Sequence, residues 1–151
     1  MTSPYEIKIV QVEPRRLAAV SASAPFDNLA PTIMALMDVI WGFIRSRNIT
    51  GTGHNVIKYD THGLTEVGVQ VDEDVPGGTR VVMSATPAGR AATTVHWGSY
   101  DGLKDASQAI VAWCAANGHA LAGESWEVYG DWSDDPEKVR TDVFFLLEPS
   151  S

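Results

Sequence analysis

The feature that most constrains the fold of this chain is an internal repeat. Residues that lead into one predicted helix recur 74 positions later, ahead of a second predicted helix. Past the helices the spacing falls to 70 positions, as a shorter second helix requires. Each half therefore reads strand, helix, strand, strand, and this self-similarity indicates one structural unit used twice. The matched pairs are Arg16 and Arg90, Ala18 and Ala92, Phe26 and Tyr100, Asp27 and Asp101, Leu29 and Leu103, Gly53 and Gly123, and Tyr59 and Tyr129. Further on, the run 65–67 matches the run 141–143 at a spacing of 76.

The hydrophobic pattern places two helices among eight strands. Apolar residues at helical spacing predict a first helix with Asp27 as N-cap, running to about Asn48. A second helix is expected to be capped near Asp101 and to be stopped by Gly118. Stretches typical of strands lie near residues 5–12, 15–23, 54–60, 64–72, 79–86, 90–98, 123–130 and 139–147.

These elements predict an α+β fold made of a duplicated β-α-β-β unit. One unit alone has a three-stranded sheet and a single helix, which covers only part of the apolar surface of the sheet. Two units are therefore expected to pair about a pseudo-twofold axis. The alternation of apolar and polar residues indicates an antiparallel sheet that is covered on one face. We expect a single domain over residues 1–151, with halves of about 8–86 and 87–149 and a ligand cleft where they join.

Composition excludes several classes of function. The net charge of −8 argues against nucleic-acid binding, which needs basic patches. A single cysteine, Cys114, rules out an internal disulfide framework and fits a buried thiol in a reducing compartment. The first residues lack a charged and then apolar signal sequence. No apolar run approaches the length of a membrane span, since the richest one is interrupted by Asp38 and Arg45. We therefore expect a cytoplasmic protein that does not insert into membranes.

An acidic residue among aromatic residues is the most suggestive local feature. In the predicted strand 123–130, Glu127 and Tyr129 point to one face together with Ser125, whereas Trp126 and Val128 point to the other with Trp132. The repeat places Tyr59 at the position of Tyr129 in the first half. The first helix adds adaptable and flat apolar side chains, which are Met34, Met37 and Trp41.

A carboxyl group among aromatic residues could have either of two functional roles or a purely structural one. In its ionised form it would hold a lipophilic cation, helped by cation–π contact with the rings. When desolvated, it would have a raised pKa and could act as a general acid or base. Alternatively, Glu127 lies on a solvated face and pairs with a lysine or arginine, and the Trp and Met residues are plain core.

Other kinds of site find no support in the sequence. The four histidines, His54, His62, His96 and His119, do not have metal-ligand spacing and are expected to be structural or exposed. The glycine-rich turns do not fit a phosphate-binding loop, and no serine lies in a nucleophile elbow. We expect no metal and no cofactor.

Three stretches resemble a known family. A strand ends in the pattern His-x-Gly-x-Tyr at residues 96–100 and is followed by the second helix, the run 126–129 resembles an acid-x-Tyr strand motif, and 141–149 resembles a closing strand. Over about residues 8–149 the chain resembles the gyrase-inhibitor-like small-molecule-binding domain in its stand-alone form, which is also the effector-binding domain of multidrug-responsive transcription regulators. The resemblance implies a duplicated β-α-β-β fold around a pocket for flat aromatic or cationic ligands.

The same resemblance implies roles for particular residues. Glu127 would be the counter-charge of the ligand, with Tyr129 and, less directly, Tyr59 as pocket tyrosines. Some members are implied to be hydrolases that open the cyclopropane ring of DNA-alkylating natural products, with a glutamate and tyrosines as catalytic groups. A further alternative is an acidic protein-binding module such as a gyrase inhibitor. The expected partners are lipophilic aromatic or cationic small molecules, and the expected contact residues are Glu127, Tyr129, Tyr59, Trp41, Met37, Met34, Trp97 and Phe145.

Overall fold

The computed structural model describes residues 5–25, 29–75, 80–131 and 133–149. Within these ranges the chain is α+β, as predicted, and all eight predicted strands are present. The predicted N-cap Asp27, its repeat neighbour Phe26 and the predicted strand residue Trp132 lie outside the described residues. In chain order the elements are β1 Lys8–Val12, β2 Arg16–Ala24, α1 Leu29–Ser46, β3 Thr52–Asp60, β4 Gly63–Val71, β5 Val81–Ala85, β6 Gly89–Trp97, a 3-10 turn Tyr100–Gly102, α2 Leu103–Ala116, β7 Leu121–Tyr129, a 3-10 turn Pro136–Lys138 and β8 Arg140–Leu147.

The chain divides into two compact units. Repeat unit 1 is Pro14–Thr86, and repeat unit 2 is Met1–Glu13 together with Pro87–Ser151. In repeat unit 1 the antiparallel strand order is β3-β4-β2-β5, and in repeat unit 2 it is β7-β8-β6-β1. Each unit therefore contains the predicted strand-helix-strand-strand order and adds one edge strand, β5 or β1.

The first strand belongs with the second half of the sequence. β1 pairs with β6 in antiparallel register from Lys8 opposite Thr93 to Val12 opposite Gly89. The expected first half, 8–86, therefore differs from the observed unit in this strand. The reason is that a repeat in sequence reports local similarity, whereas strand partners are chosen by hydrogen bonding over long distances along the chain.

The strand register repeats as closely as the sequence does. Val20 of β2 pairs with Val67 of β4, and Val67 pairs with Ile57 of β3. In repeat unit 2 the matching row runs from Thr94 of β6 through Val143 of β8 to Glu127 of β7. The register is irregular near Gly53 in one unit and near Gly123 in the other, so even this local defect occurs twice.

The core of repeat unit 2 lies between α2 and the strands β6 and β8. Aliphatic side chains at helical spacing form one apolar face of α2, and every second residue of the strands forms one apolar face of the sheet. These two faces pack against each other. Each fully buried Leu or Ile contributes about 2 kcal/mol from leaving water. The buried members are Ala92, Leu103, Ala106, Ile110, Cys114, Val143 and Leu147.

A glycine lies on each side of helix α2. The predicted cap Asp101 is exposed within the 3-10 turn, and the N-cap is Gly102, which has no capping side chain. Gly118 follows the helix with φ of 74°, a left-handed conformation that glycine adopts without strain. The predicted stop is therefore confirmed, and the N-cap lies one residue after Asp101, because a short 3-10 turn precedes the helix.

Helix α1 packs against β2 and β4 of repeat unit 1. Its buried stripe consists of Leu36, Ile40 and Ile44, which recur every four residues. The helix ends at Ser46, two residues before the predicted Asn48, because Asn48 itself has a left-handed φ of 53°. The backbone N–H of Ile49 then bonds the carbonyl of Ile44, which closes the helix end.

By length and composition alone, α1 could cross a membrane. Its 18 residues have a mean hydropathy of 1.3, so the expectation that no apolar run is long enough is wrong. One such helix is weak evidence for a membrane span, because a core helix passes the same test. The packing of α1 on β2 and β4 is what a core helix does.

Candidate ligand-binding site

The carboxyl group of Glu127 is held on the covered face of the sheet in repeat unit 2. Glu127 lies on β7 opposite Val143, which belongs to the cluster under α2. Only 8% of the Glu127 residue is exposed. This burial excludes the alternative in which Glu127 lies on a solvated face, because few acids are buried to this extent without a specific reason.

Tyr129 holds that carboxyl group. The two residues are two positions apart on one strand, so their side chains leave the same face. The Tyr129 hydroxyl donates a hydrogen bond of 2.7 Å to Oε1 of Glu127. A hydrogen bond to an ionised acceptor is stronger than one between neutral groups, so this contact favours the charged carboxylate.

A second tyrosine packs against the first. The rings of Tyr100 and Tyr129 have centroids 5.2 Å apart at an interplanar angle of 57°, a tilted arrangement that aromatic pairs favour. Tyr100 is 40% exposed, so part of its ring remains accessible. Burial of the rest of the side chain raises the pKa of the Tyr100 hydroxyl above its usual value. A buried carboxylate and two adjoining rings therefore occupy one region of repeat unit 2.

His96 and Trp97 occupy opposite faces of β6. Ala92 faces α2, so alternation puts Thr94 and His96 on the same face as Glu127 and turns Trp97 away. His96 is 6% exposed. Trp97 is 56% exposed, and the guanidinium of Arg140 lies 5.6 Å from its ring centroid.

Phe145 lies on the same face of the sheet as Tyr129, whereas Trp97 lies on the opposite face. Phe145 lies on β8 opposite Ser125, on the same face as Val143, and its half-buried ring packs against the cluster under α2. Of the predicted contact residues, Glu127, Tyr129 and Phe145 therefore share one face of repeat unit 2.

The other predicted contact residues belong to repeat unit 1. Trp41 on α1 is half-buried and donates a hydrogen bond of 2.8 Å from Nε1 to Oδ1 of Asn55. Met37 is half-buried on the same helix, and Met34 is 68% exposed. Tyr59 is half-buried on β3, where the pairing with β4 shifts between Lys58 and Tyr59.

The position of Glu127 is apolar in the other unit. Ile57 is the residue that matches Glu127 in the repeat, and each pairs with a buried valine, Val67 or Val143. Ile57 is 1% exposed. Repeat unit 1 thus has a buried isoleucine at the position where repeat unit 2 has a buried acid, so the fold does not require an acid there.

Three further residues linked to this region were not predicted as site residues. Tyr100 packs on Tyr129. His96 pairs with Thr141, the residue opposite Tyr129, and forms a hydrogen bond with Tyr5. The His-x-Gly-x-Tyr pattern contained the signal for His96 and Tyr100. For Tyr5 there was no local signal, because its contact with His96 spans 91 positions.

Repeat unit 1 contains a different polar cluster. Nζ of Lys58 lies 2.9 Å from Oε1 of Glu66, and the Ser84 hydroxyl donates to the same carboxylate at 2.6 Å. The Lys58 and Glu66 side chains are 15% and 18% exposed. Alternation turns Lys58 to the face opposite Asn55, which contacts α1 through Trp41. Across the part of the chain that the structure describes, no group of three His, Cys, Asp or Glu residues could hold a metal ion.

Comparisons with known proteins agree with this architecture. No curated protein matches the chain. The C-terminal domain of EcmrR is similar in structure, with a TM-score of 0.75, 19% identity and coverage of 98% of this chain and 100% of that one. SAV2435 bound to tetraphenylphosphonium has a TM-score of 0.62 at 10% identity, with 95% and 94% covered.

A hydrolase from Listeria innocua is also similar, with a TM-score of 0.61, 10% identity and coverage of 95% of this chain and 92% of that one. At such identities these three likenesses bear on the fold alone. The model of the GyrI-like small molecule binding domain matches residues 5–148. The chain therefore belongs to the family of GyrI-like small molecule binding domains.

Proposed function

We propose that this protein binds flat, lipophilic aromatic cations, with Glu127 as their counter-charge. The observation that carries the proposal is the buried Glu127 carboxyl at a position where the matching unit has Ile57. Burial of a carboxylate costs several kcal/mol, roughly, unless partners compensate it, and the fold itself does not require an acid there. A buried carboxylate at a position where the fold accepts an isoleucine fits a functional role.

The surroundings of Glu127 suit a cation with aromatic groups. Tyr129 favours the ionised carboxylate through its hydroxyl, and its ring packs against the accessible ring of Tyr100. Phe145 adds a third ring on the same face. Aromatic faces attract cations by about 0.5–2 kcal/mol each, depending on desolvation, and they stack on flat ligands. The family and the tetraphenylphosphonium complex of SAV2435 support this class of ligand.

The predicted contacts divide by position. Glu127, Tyr129 and Phe145 are proposed as ligand contacts, whereas Tyr59, Trp41 and Met37 of repeat unit 1 remain predicted contacts. Trp97, which leaves the opposite face of β6, and Met34, which is 68% exposed, also remain predicted contacts. We place the activity in the cytoplasm, in keeping with the single reduced and buried Cys114.

A pair of ligands with one shape and opposite charge tests the proposal. Purified protein is titrated with tetraphenylphosphonium and with tetraphenylborate, and binding is followed by calorimetry. We expect only the cation to bind, and Glu127→Gln to weaken its binding about thirtyfold or more, because a desolvated counter-charge is removed. Glu124→Gln is the matched control, since Glu124 is exposed on the same strand. Equal cation affinity in the parent and Glu127→Gln would rule out Glu127 as the counter-charge.

A second candidate function is hydrolysis of an electrophilic cyclopropane. It is favoured by the contact between the Tyr129 hydroxyl and the Glu127 carboxylate, which supplies a base beside a hydrogen-bond donor. Water adds to the strained ring, so that one C–O bond forms and one C–C bond breaks. The released electron pair moves to a conjugated carbonyl oxygen, which takes up the proton that water loses.

In this reaction Glu127 would orient or deprotonate the water, and Tyr129 would turn its O–H from Glu127 to the oxygen that gains charge. Tyr59 remains a predicted donor. A protein of similar fold, the hydrolase from Listeria innocua, also supports this candidate. Incubation with a cyclopropane-bearing alkylating agent, followed by mass spectrometry for one added water, provides the test. Product formation no faster than in buffer, or an undiminished rate in Glu127→Gln, would exclude the reaction.

A further inference from the structure

Both ring nitrogens of His96 are engaged. Nε2 lies 2.8 Å from the carbonyl oxygen of Ser99, which can only accept a hydrogen bond. Nε2 therefore carries a hydrogen, and in the neutral ring Nδ1 accepts a bond from the Tyr5 hydroxyl at 2.9 Å. These partners assign the tautomer and fix the plane of the imidazole.

The imidazole supports the turn from which α2 begins. A Cβ placed on Gly102 would lie 2.8 Å from Cε1 of His96, so the turn rests on the ring at a distance that only glycine permits. Gly98, with φ of 127°, lets the chain reverse directly after β6. The bond from Nε2 to Ser99 then ties the residue before Tyr100 to the ring.

This turn presents Tyr100 to the candidate site. The Tyr100 ring packs on Tyr129, and Tyr129 donates to Glu127. Contacts thus run without a gap from His96 through the turn to the carboxylate. We propose that His96 is a positioning residue for ligand binding: it holds the Ser99–Gly102 turn so that Tyr100 stays against Tyr129. This inference rests on the proposed function of the Glu127 site.

The role differs from that of an ordinary core residue. A core residue of this size contributes to stability wherever it packs, whereas a positioning residue acts on the ligand through one other side chain. If His96 acts through Tyr100, its effect on affinity vanishes once Tyr100 has been truncated. A double-mutant cycle measures this dependence directly.

The cycle uses tetraphenylphosphonium and the pair His96→Leu and Tyr100→Ala. We expect His96→Leu to weaken binding about tenfold in the parent and less than about twofold in Tyr100→Ala. His96→Gln restores part of the affinity, because its amide N–H can donate to Ser99 as Nε2 does. Equal losses in both backgrounds would overturn the proposal. Where His96→Leu does not fold, His96→Gln replaces it in the cycle, and again a loss that persists in Tyr100→Ala overturns the proposal.

A ligand-free measurement separates this inference from the proposed function. The chain has four tyrosines, so ring-labelled tyrosine gives an NMR spectrum simple enough to assign. We expect His96→Leu to shift the Tyr129 ring resonances in the same direction as Tyr100→Ala does. If the parent binds no cation, the proposed function fails but this spectrum still tests the positioning role. Tyr129 resonances that do not move in His96→Leu would show that His96 does not hold Tyr100.

Discussion

Glu127 and Ile57 occupy the same position in the two repeat units and differ in charge. Each lies on the strand that follows the helix of its unit, opposite a valine that is at most 1% exposed. One unit therefore serves as an internal control for the other, because it shows which residue the fold accepts at this point.

The first prediction is a swap at this position. Glu127→Ile is expected to raise the free energy of unfolding by about 1 kcal/mol and to abolish cation binding, since it removes a buried carboxylate that only binding requires. Ile57→Glu is expected to lower the free energy of unfolding by about 3 kcal/mol or more. Urea unfolding of both variants checks the pair. Similar destabilisation by the two changes would mean that Glu127 serves the fold.

The second prediction concerns the bond between Tyr129 and Glu127. Tyr129→Phe keeps the ring against Tyr100 but removes the donor of the 2.7 Å hydrogen bond. We expect a loss of about 1–2 kcal/mol in the free energy of unfolding, because a largely buried carboxylate loses a partner. Thermal or urea unfolding measures it.

Thr141, directly opposite Tyr129, provides the control for that change. Its buried hydroxyl finds no hydrogen-bond partner among the residues that the structure describes. Thr141→Val removes this hydroxyl with little change in shape, so stability should stay the same or rise by about 1 kcal/mol. A loss of stability in Thr141→Val as large as in Tyr129→Phe would show that the assay does not resolve hydrogen bonds here.

The third prediction concerns the ion pair of repeat unit 1. Lys58→Met leaves the Glu66 carboxylate mostly buried, with Ser84 as its remaining donor among the residues that the structure describes. We therefore expect the free energy of unfolding to fall by about 3 kcal/mol. The double variant Lys58→Met with Glu66→Leu should recover most of that loss, because no charge then remains to be buried. A double variant as unstable as the single one would contradict this account.

The fourth prediction is a loss of stability at alkaline pH. Burial raises the pKa of the Tyr100 hydroxyl and of the Cys114 thiol, and burial together with the nearby Asp105 charge raises that of Tyr5. The folded chain therefore retains protons that the unfolded chain has already released. The stability from these groups is fully present below the unfolded values of 9.0 for the thiol and 10.0 for the tyrosines, and it falls as the pH rises through the folded values.

Urea unfolding across a pH series tests the fourth prediction. The decline above pH about 9 should be less steep in Tyr5→Phe and Tyr100→Phe, which lack the ionisable hydroxyl. At neutral pH a thiol reagent should label Cys114 slowly in the folded chain and rapidly in urea, since the thiol is buried. An unchanged pH profile in both tyrosine variants would assign the decline to other groups.

Much of the fold was predictable because its signals are local. Period-two alternation identified all eight strands, and apolar spacing identified both helices with Gly118 as a stop. The N-cap lies at Gly102, one residue after Asp101, and the sequence could not place it more closely because it does not distinguish a 3-10 turn from the first turn of a helix. The partner of β1 was not predictable, since it depends on pairing across most of the chain.

The candidate site was predictable in part for the same reason. Glu127 and Tyr129 share a face because they are two positions apart, which alternation fixes. The opposite faces of His96 and Trp97 required knowledge of which side α2 covers. The contact between Tyr5 and His96 depends on the place of β1 beside β6, so it could follow only after that pairing was known.

The place of β1 beside β6 also orders events during synthesis. Residues 14–86 contain the four strands β2 to β5, so these strands can pair with one another as soon as β5 leaves the ribosome. β1 precedes them in the chain yet must wait for β6. Tyr5 reaches His96 only then, so the support under the turn before α2 forms after the strands of repeat unit 1 are already available to pair.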